Sequence, residues 1–367
     1  MADIVIKERV ETASGAIIHL AAIEEDGTVL SNGRFTYTTS RFGKESVKTM
    51  LAGGVATPVH HRRGGNVRKM FDMMHQAAVD EGAAVALLHP FSFSYYRKFG
   101  YEKVSDHVIV RFPTRMIDFV PRRCQLVPYD ESKLNDLISV YTQFSHGRHL
   151  LPQRYDNTHY RDPEKQIYMF YQDGAPVAYL IFSGQQKFIV NHMGDSLLTV
   201  HELCYTSPEA LREIFSFLRM FEGEYDEIEF SNIAPCPEVE LLLRHYMHTS
   251  YTVVSDVMAR TLNTEKMLLA ADYPQKAGCF TVCVEDELPS VAGTFRVTYG
   301  GGACRVERVD AAPDIILTAP TCTRLIYGYD GASAQTAKYM DGVTVTGNAE
   351  DFFLAFPKKP CGVFEHF

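Results

Sequence analysis

The chain lacks any apolar run of the roughly 18–20 residues that a membrane-spanning helix requires. Its opening segment, MADIVIKERVETASG, has no apolar stretch of the signal-peptide type. Eight cysteines include no CxxC or CxxH pair and 14 histidines are scattered, so neither a zinc site nor a disulfide framework is legible. Positive charge is also short: 36 Lys and Arg against 45 Asp and Glu leave a formal charge of −9. That balance argues against nucleic acid as the main partner, because phosphate binding needs a basic face, and it suits a cationic substrate. A soluble, reduced, cytoplasmic protein without a metal is the expectation. What is present is ordinary globular composition, 46% hydrophobic and 22% charged, which excludes a mostly disordered chain. At 367 residues, two or three domains are expected, given about 150 residues per domain.

The first third alternates strand and helix. Ala16–Glu24 reads as a strand, Asp26-Gly27 as a turn, and Arg34–Ser40 as the continuation of an antiparallel meander. Leu51–Val59 is apolar with small residues and no helical period, the pattern of a buried strand. From Val67 onward, Met70, Phe71, Met74, Ala77 and Ala78 recur at three- and four-residue steps, and Gly82 sits where a helix stop belongs. Ala83–His89 and His107–Phe112 read as further strands.

The middle section, from about Arg122 to Thr261, repeats this theme. Ile167–Tyr171 and Pro176–Phe182 flank the turn Asp173-Gly174, and His201–Tyr205 runs into Ser207-Pro208-Glu209, the start signature of a helix through Met220. Pro208 has no N–H and Glu209 repels phosphate, so this copy is poorly suited to hold a nucleotide and a structural role is expected. Toward the end, Gly293–Tyr299 and Ala303–Val309 form a hairpin through Gly300-Gly301-Gly302. Asp314–Leu317 reads as a strand, Cys322–Tyr327 and Ala332–Met340 as helices, and the whole as a small α+β domain with an aromatic tail, Gly362–Phe367.

The central signal is His60-His61-Arg62-Arg63-Gly64-Gly65-Asn66-Val67-Arg68, set between a strand and a helix. The unpaired N–H groups of a helix's first turn carry partial positive charge and bind anions, a pyrophosphate among them. Glycines let the main chain approach the phosphates, and Arg62, Arg63 and Arg68 add charge-assisted hydrogen bonds. The bland alternative is a solvated basic turn. A Walker-type loop is excluded, since no Gly-Lys-Ser/Thr follows. The second signal is Phe91-Ser92-Phe93-Ser94-Tyr95-Tyr96-Arg97-Lys98-Phe99-Gly100-Tyr101, after the Ala83–His89 strand. Two parallel strands that splay apart leave a cleft at their carboxyl ends, and this segment would lie beside it. A phenol there can protonate a departing thiolate, although an aromatic loop alone is more often packing.

Together these stretches resemble the GNAT (Gcn5-related) N-acetyltransferases, whose strand–(Q/R)xxGx(G/A)–helix motif cradles the pyrophosphate of acetyl-CoA. Arg62 stands first and Gly65 fourth, while Val67 takes the last small position. The spacing to Tyr95-Tyr96-Arg97-Lys98-Phe99-Gly100-Tyr101 is similar to the Eis (enhanced intracellular survival) subfamily. That resemblance implies an α/β (α+β) chain in three parts: a GNAT acetyltransferase domain at 1–118, a degenerate GNAT-like domain at 119–262 and a sterol-carrier-protein-like domain at 263–367.

It further implies that Val55, Ala56 and Thr57 hold the pantetheine arm and acetyl group of the co-substrate acetyl-CoA. Arg62, Arg63, Gly64, Gly65, Asn66, Val67 and Arg68 would hold its pyrophosphate, with Phe91 and Ser92 as further contacts. Tyr96 would be the general acid and the terminal carboxylate of Phe367 the general base. A neutral amine must attack the thioester, and a carboxylate in an aromatic-walled pocket can steer the ammonium in and take its proton. The acceptor expected is a small-molecule or peptide primary amine of polyamine, aminoglycoside or lysine type, and family members are often homo-oligomers. The other class of function is a non-catalytic binder of acetyl-CoA or of a lipid-like small ligand. Two departures stand out. Only about 15 residues precede the first strand where the family has two helices, which implies a misassigned gene start or a more open acceptor pocket. Gly64 replaces a third arginine common in this loop.

Overall fold

A computed structural model of the chain describes residues 3–11, 17–118, 121, 123–185, 196–243 and 246–367. The elements begin with β1 (Asp3–Glu11), β2 (Ile17–Glu25), β3 (Thr28–Gly43), β4 (Glu45–Ala56), α1 (Asn66–Asp80), β5 (Val85–Leu88), α2 (Phe93–Arg97), β6 (Glu102–Lys103) and β7 (Asp106–Pro113). There follow β8 (Gln125–Pro128), α3 (Leu134–Ser145), β9 (Arg148–Pro152), β10 (Gln166–Gln172), β11 (Ala175–Gln185), β12 (Leu197–Tyr205), α4 (Pro208–Arg219), β13 (Glu227–Phe230), β14 (Ser250–Ser255) and β15 (Met258–Thr261). The last part holds α5 (Thr264–Ala270), β16 (Gly278–Glu285), β17 (Gly293–Gly300), β18 (Ala303–Arg308), β19 (Ile315–Thr318), α6 (Ala319–Ile326), α7 (Ala334–Ala337), β20 (Val343–Val345) and α8 (Glu350–Ala355). Ala16 of the expected first strand, and Arg122 and residue 119 at expected starts, lie outside the described residues.

Three sheets result. The first runs β1-β2-β3-β4-β5-β15-β6 with β9 beside β3, the second β14-β7-β13-β12-β11-β10-β8, and the third β18-β17-β16-β19-β20. The turns follow from their residues: Asp26 (φ 49°) and Gly27 (φ 77°) close β2–β3, and Asp173 (φ 50°) and Gly174 (φ 81°) close β10–β11. Such left-handed pairs match the twist of the flanking strands. Before β2 the described residues form a strand, β1, paired antiparallel with Glu11 opposite Ile17.

The first two sheets exchange strands across the expected division at 118. β7 lies within 1–118 but pairs with β13 and β14 of the second sheet. β15 lies within 119–262 but fits between β5 and β6 of the first, Met258 opposite Leu88 and Thr261 opposite Val85. It closes what would otherwise be an open edge of β5.

Side-chain alternation along β5 packs the first sheet on both faces. Ala86 and Leu88 join Met70, Phe71 and Met74 of α1, whereas Val85 and Leu87 join Val282, Phe280 and Phe352 of the C-terminal unit. Phe71, fully buried and stacked on Phe99 with ring centroids 5.0 Å apart, fixes α1 over the sheet. Its truncation to alanine would cost about 3–5 kcal/mol.

Candidate active site

β4 and β5 run parallel but pair only from Thr49–Val85 to Leu51–Leu87. β4 continues to Ala56, so from Ala52 onward it parts from β5 and a cleft opens at the carboxyl ends. On its other side β4 bulges against β3: Arg34 pairs with Gly53 and Asn32 with Ala56, three steps on one strand against two on the other. Gly54, at φ +60°, supplies the left-handed residue such a bulge needs, and the extra residue leaves main-chain groups outside the ladder. Below it, Ser31 Oγ donates to the Ala56 carbonyl at 3.1 Å and lies 3.0 Å from Thr57 Oγ1.

After Thr57 the chain turns through His60–Gly65 into α1. Gly65 is the N-cap residue at φ 77° and contributes no side-chain cap, and the first turn holds no acidic residue. The first helical bond runs from Lys69 N to Gly65 O, so the N–H groups of Asn66, Val67 and Arg68 have no partner within the helix. Arg63 is held at φ 67°, an uncommon conformation for a side chain of this size. Gly64 is required neither by φ nor by close contact, since a Cβ there would meet only Asn66 Nδ2 at 3.4 Å and looser neighbours. Arg62 Nε donates to Thr57 O at 3.3 Å, and Arg68 Nη2 donates to Lys98 O at 2.7 Å while lying over the Phe99 ring.

These residues wall a cleft of about 840 Å³. Val55, Ala56, Thr57, the whole Arg62–Arg68 run and Phe91 line it, joined by His61, Tyr95, Lys98 and Phe99. Among the described residues four cations and no carboxylate face this space, on a chain that is acidic overall. A cationic cleft with open helix N–H groups at one end and an unpaired strand edge at the other fits a pyrophosphate joined to an amide-bearing arm.

α2 sits at the mouth. Ser92 is not among the lining residues: it caps α2, its Oγ accepting from Tyr95 N at 3.4 Å. Tyr96 faces inward, 5% exposed, with its ring against Phe71, Phe91, Tyr95, Phe99 and Tyr101. It touches the cleft wall through Phe91 and Tyr95. Its hydroxyl donates to no described residue, and burial, with Tyr95 beside it, pushes the phenol up to about 12. The phenol therefore stays protonated at neutral pH, as a free one does, and holds its proton more tightly. The Phe99-Gly100-Tyr101 turn has its own reason: Gly100 has φ +83°, and Arg260 of β15 fills the space where a Cβ would stand and donates to Phe99 O at 2.6 Å.

The C-terminal tail ends at β4. A Cβ on Gly53 would meet the carboxyl carbon of Phe367 at 2.8 Å, which places that carboxyl two residues before Val55. The Phe367 ring lies 4.5 Å from that of His89 at the end of β5. His89 Nδ1 is 2.8 Å from Asp256 Oδ1 and Nε2 is 3.2 Å from the Glu365 carbonyl. Burial first, then His89, lowers His366 below the usual imidazole range. The tail is tied along its length: His149 N donates to Pro360 O at 2.9 Å, Asn232 Nδ2 to Val363 O at 2.9 Å, and Arg154 to Glu365 Oε1 at 2.7 Å.

Residues 8–104 match an acetyltransferase (GNAT) domain family, and residues 148–261 match a second acetyltransferase (GNAT) domain family. The chain carries two GNAT acetyltransferase domains. No curated protein matches the sequence. Among solved structures, the chain is similar to a GCN5-related N-acetyltransferase from Anabaena variabilis, with a TM-score of 0.83 at 17% identity over 95% of this chain and 89% of that one. A probable N-acyltransferase from Enterococcus faecalis gives 0.80 at 17% identity over 95% and 89%. Eis1 from Mycobacterium abscessus gives 0.80 at 17% identity over 95% and 91%. These likenesses establish the GNAT fold, and the domain matches make the chain a GNAT-type acetyltransferase. Beyond the two domains lies a further sheet, β16–β20.

In the second GNAT domain the corresponding helix start is closed: Ser207 Oγ accepts from Ala210 N at 3.1 Å, Pro208 is in the first turn and Glu209 follows it. Among the described residues there is no cluster of His, Cys, Asp and Glu that could hold a metal, and no helix long and apolar enough to cross a membrane. Sequence reasoning missed Tyr95, Lys98, Phe99 and His61 in the wall, and His89 with Asp256 beside the tail. The first three stand within one quoted segment, and their three- and four-residue spacing from Tyr95 was the available signal for a shared face.

Proposed function

We propose that the chain transfers the acetyl group of acetyl-CoA to a primary amine of polyamine, aminoglycoside or lysine type. The observation that supports this most is the meeting, on one strand, of the cationic cleft at Val55 and the seated terminal carboxyl at Gly53. Arg62, Arg63, Arg68, Lys98 and the α1 N–H groups would hold the pyrophosphate, and the parted edge of β4 the pantetheine arm. Bound there, acetyl-CoA supplies an activated thioester. The Phe367 carboxylate draws in the ammonium of the acceptor and accepts its proton. Main-chain N–H groups freed by the Gly54 bulge stand ready for negative charge developing on the acyl oxygen. Tyr96, protonated at neutral pH and packed directly behind Phe91 and Tyr95 of the cleft wall, would give its proton to the leaving sulfur.

Kinship with the Eis subfamily and a sterol-carrier-like C-terminal unit belong to the same proposal. A second reading, a non-catalytic binder of acetyl-CoA or a lipid-like ligand, draws on the groove of about 750 Å³ among Ala337, Val343, Val345, Phe353 and Leu354. A pure binder has no use for the Tyr96 phenol or the seated terminus. Release of free thiol from acetyl-CoA across polyamines, aminoglycosides and lysine peptides decides between them. Acceptor-dependent release supports transfer, and tight acetyl-CoA binding with no release on any amine supports the binder.

A further inference from the structure

The second GNAT domain repeats the strand geometry of the first. β12 and β13 run parallel and pair only from Leu197–Glu227 to Val200–Phe230. Beyond that point Ile233 N turns to Val108 O of β7 at 2.8 Å, while β12 carries on through Glu202. In the first domain the equivalent gap widens into the cationic cleft from Val55 onward, and only the last residue of the tail stands at its near end, against Gly53 and His89. In the second it is filled by the chain's own tail: Asn232 Nδ2 donates to Val363 O, Phe364 packs against the second domain's core, and a residual space of only about 140 Å³ remains beside the tail, Ser231 and His201.

At the centre of this contact is Arg154, 7% exposed. Its Nη1 donates to Glu202 Oε1 at 2.5 Å and to Tyr160 Oη at 2.8 Å, and Nη2 donates to Glu202 Oε2 at 2.9 Å. Its face lies 3.9 Å from the centre of the Tyr141 ring. The tail is gripped by the adjoining edge of the guanidinium: Nε donates to Glu365 Oε1 at 2.7 Å, and Nη2, shared with Glu202, lies 2.6 Å from the same oxygen. Burial alone would push Glu202 up, but Arg154 and His159 beside it hold its carboxyl well below the usual carboxylate range. The fork is thus fixed from behind, and only the link from Glu365 through His366 separates it from Phe367.

We propose that the gap between β12 and β13 is a docking site for the chain's own C-terminal segment, and that Arg154, acting through Glu365, is the positioning residue that sets the Phe367 carboxyl beside Gly53. The second domain has exchanged a cofactor for a tail. This rests on the terminal carboxylate being the base.

The test compares full-length protein with Glu365→Gln, Arg154→Lys and deletion of Phe367. Glu365→Gln keeps the shape and removes the charge, and Arg154→Lys removes the planar fork. Both variants lower kcat about 10²-fold, the scale of a misplacement near 1 Å, with KM for acetyl-CoA unchanged. Carboxypeptidase releases Phe367 from both at least about tenfold faster than from the unmodified chain. Wild-type kcat and wild-type release in Glu365→Gln, beside an inactive Phe367 deletion, overturn the clamp and leave the base standing. Full turnover after deletion of Phe367 overturns the base and the positioning role with it. A rise in KM for acetyl-CoA equal to the loss in kcat also overturns the proposal, since the clamp does not touch the cofactor cleft.

Discussion

Replacing Gly53 by alanine adds a single methyl group at the meeting point of strand and tail. Gly53 has no left-handed φ, so the backbone accepts alanine, and alanine in a strand interior is favoured over glycine by about 0.5–1 kcal/mol. The new Cβ would stand 2.8 Å from the Phe367 carboxyl carbon, about 0.6 Å inside the 3.4 Å at which ordinary contact begins. The tail cannot simply withdraw, because Asn232 and Arg154 hold Val363 and Glu365 behind it. The carboxylate is therefore pushed off its place. If a 1 Å misplacement costs on the order of 10²-fold in rate, Gly53→Ala should lower kcat by about 10- to 100-fold. Thermal melting should show unchanged or slightly higher stability. Thiol release with a responsive amine gives kcat, and calorimetry gives acetyl-CoA affinity. Wild-type kcat in a folded Gly53→Ala protein would refute the reasoning, because the base would then tolerate displacement or lie elsewhere.

Other consequences concern the wall, the acid and the core. Tyr96→Phe should lower kcat by about 10- to 10⁴-fold with acetyl-CoA affinity retained, and an unchanged kcat removes the phenol from the chemistry. Arg63→Gly relieves a left-handed arginine, a strain of about 1–3 kcal/mol, yet removes a phosphate partner. Melting temperature should hold or rise while the acetyl-CoA Kd increases about tenfold, and an unchanged Kd contradicts the assignment. His149 is fully enclosed between Phe42 and Tyr327, and burial pushes its imidazole down from 6.5 to about 3. The native state thus favours neutral His149, so its contribution is complete above pH 6.5 and is lost as pH falls toward 3. Urea unfolding at stepped pH should show a shallower acid limb for His149→Leu, and identical slopes count against this origin.

Local chemistry was legible wherever it was decided within a few residues. Gly82 after the Met70–Ala78 stripe marked the end of α1, Asp173-Gly174 marked a hairpin, and the Arg62–Arg68 turn stands where strand gives way to helix. Long-range pairing was not. His107–Phe112 reads as a strand from its own residues, but which sheet it joins depends on Glu227–Phe230, more than a hundred residues later. The same holds for Arg154, whose partners Glu202 and Glu365 are separated from it by 48 and 211 residues. Ser92, expected as a contact to the co-substrate, also stands where a short helix begins, and its side chain caps α2. Tyr95 and Lys98 were in view but unassigned, because an aromatic loop gives no face until α2 is seen to present Tyr95 to the cleft and Tyr96 to the core.

The most direct measurement is calorimetric titration of acetyl-CoA into the full chain and into the Arg63→Ala, Arg68→Ala double variant. Saturable binding at one site per chain, weakened at least about tenfold in the variant and progressively by added salt, is the expected result. Absence of binding, or binding indifferent to both arginines, would contradict the claim that this cationic turn grips the coenzyme.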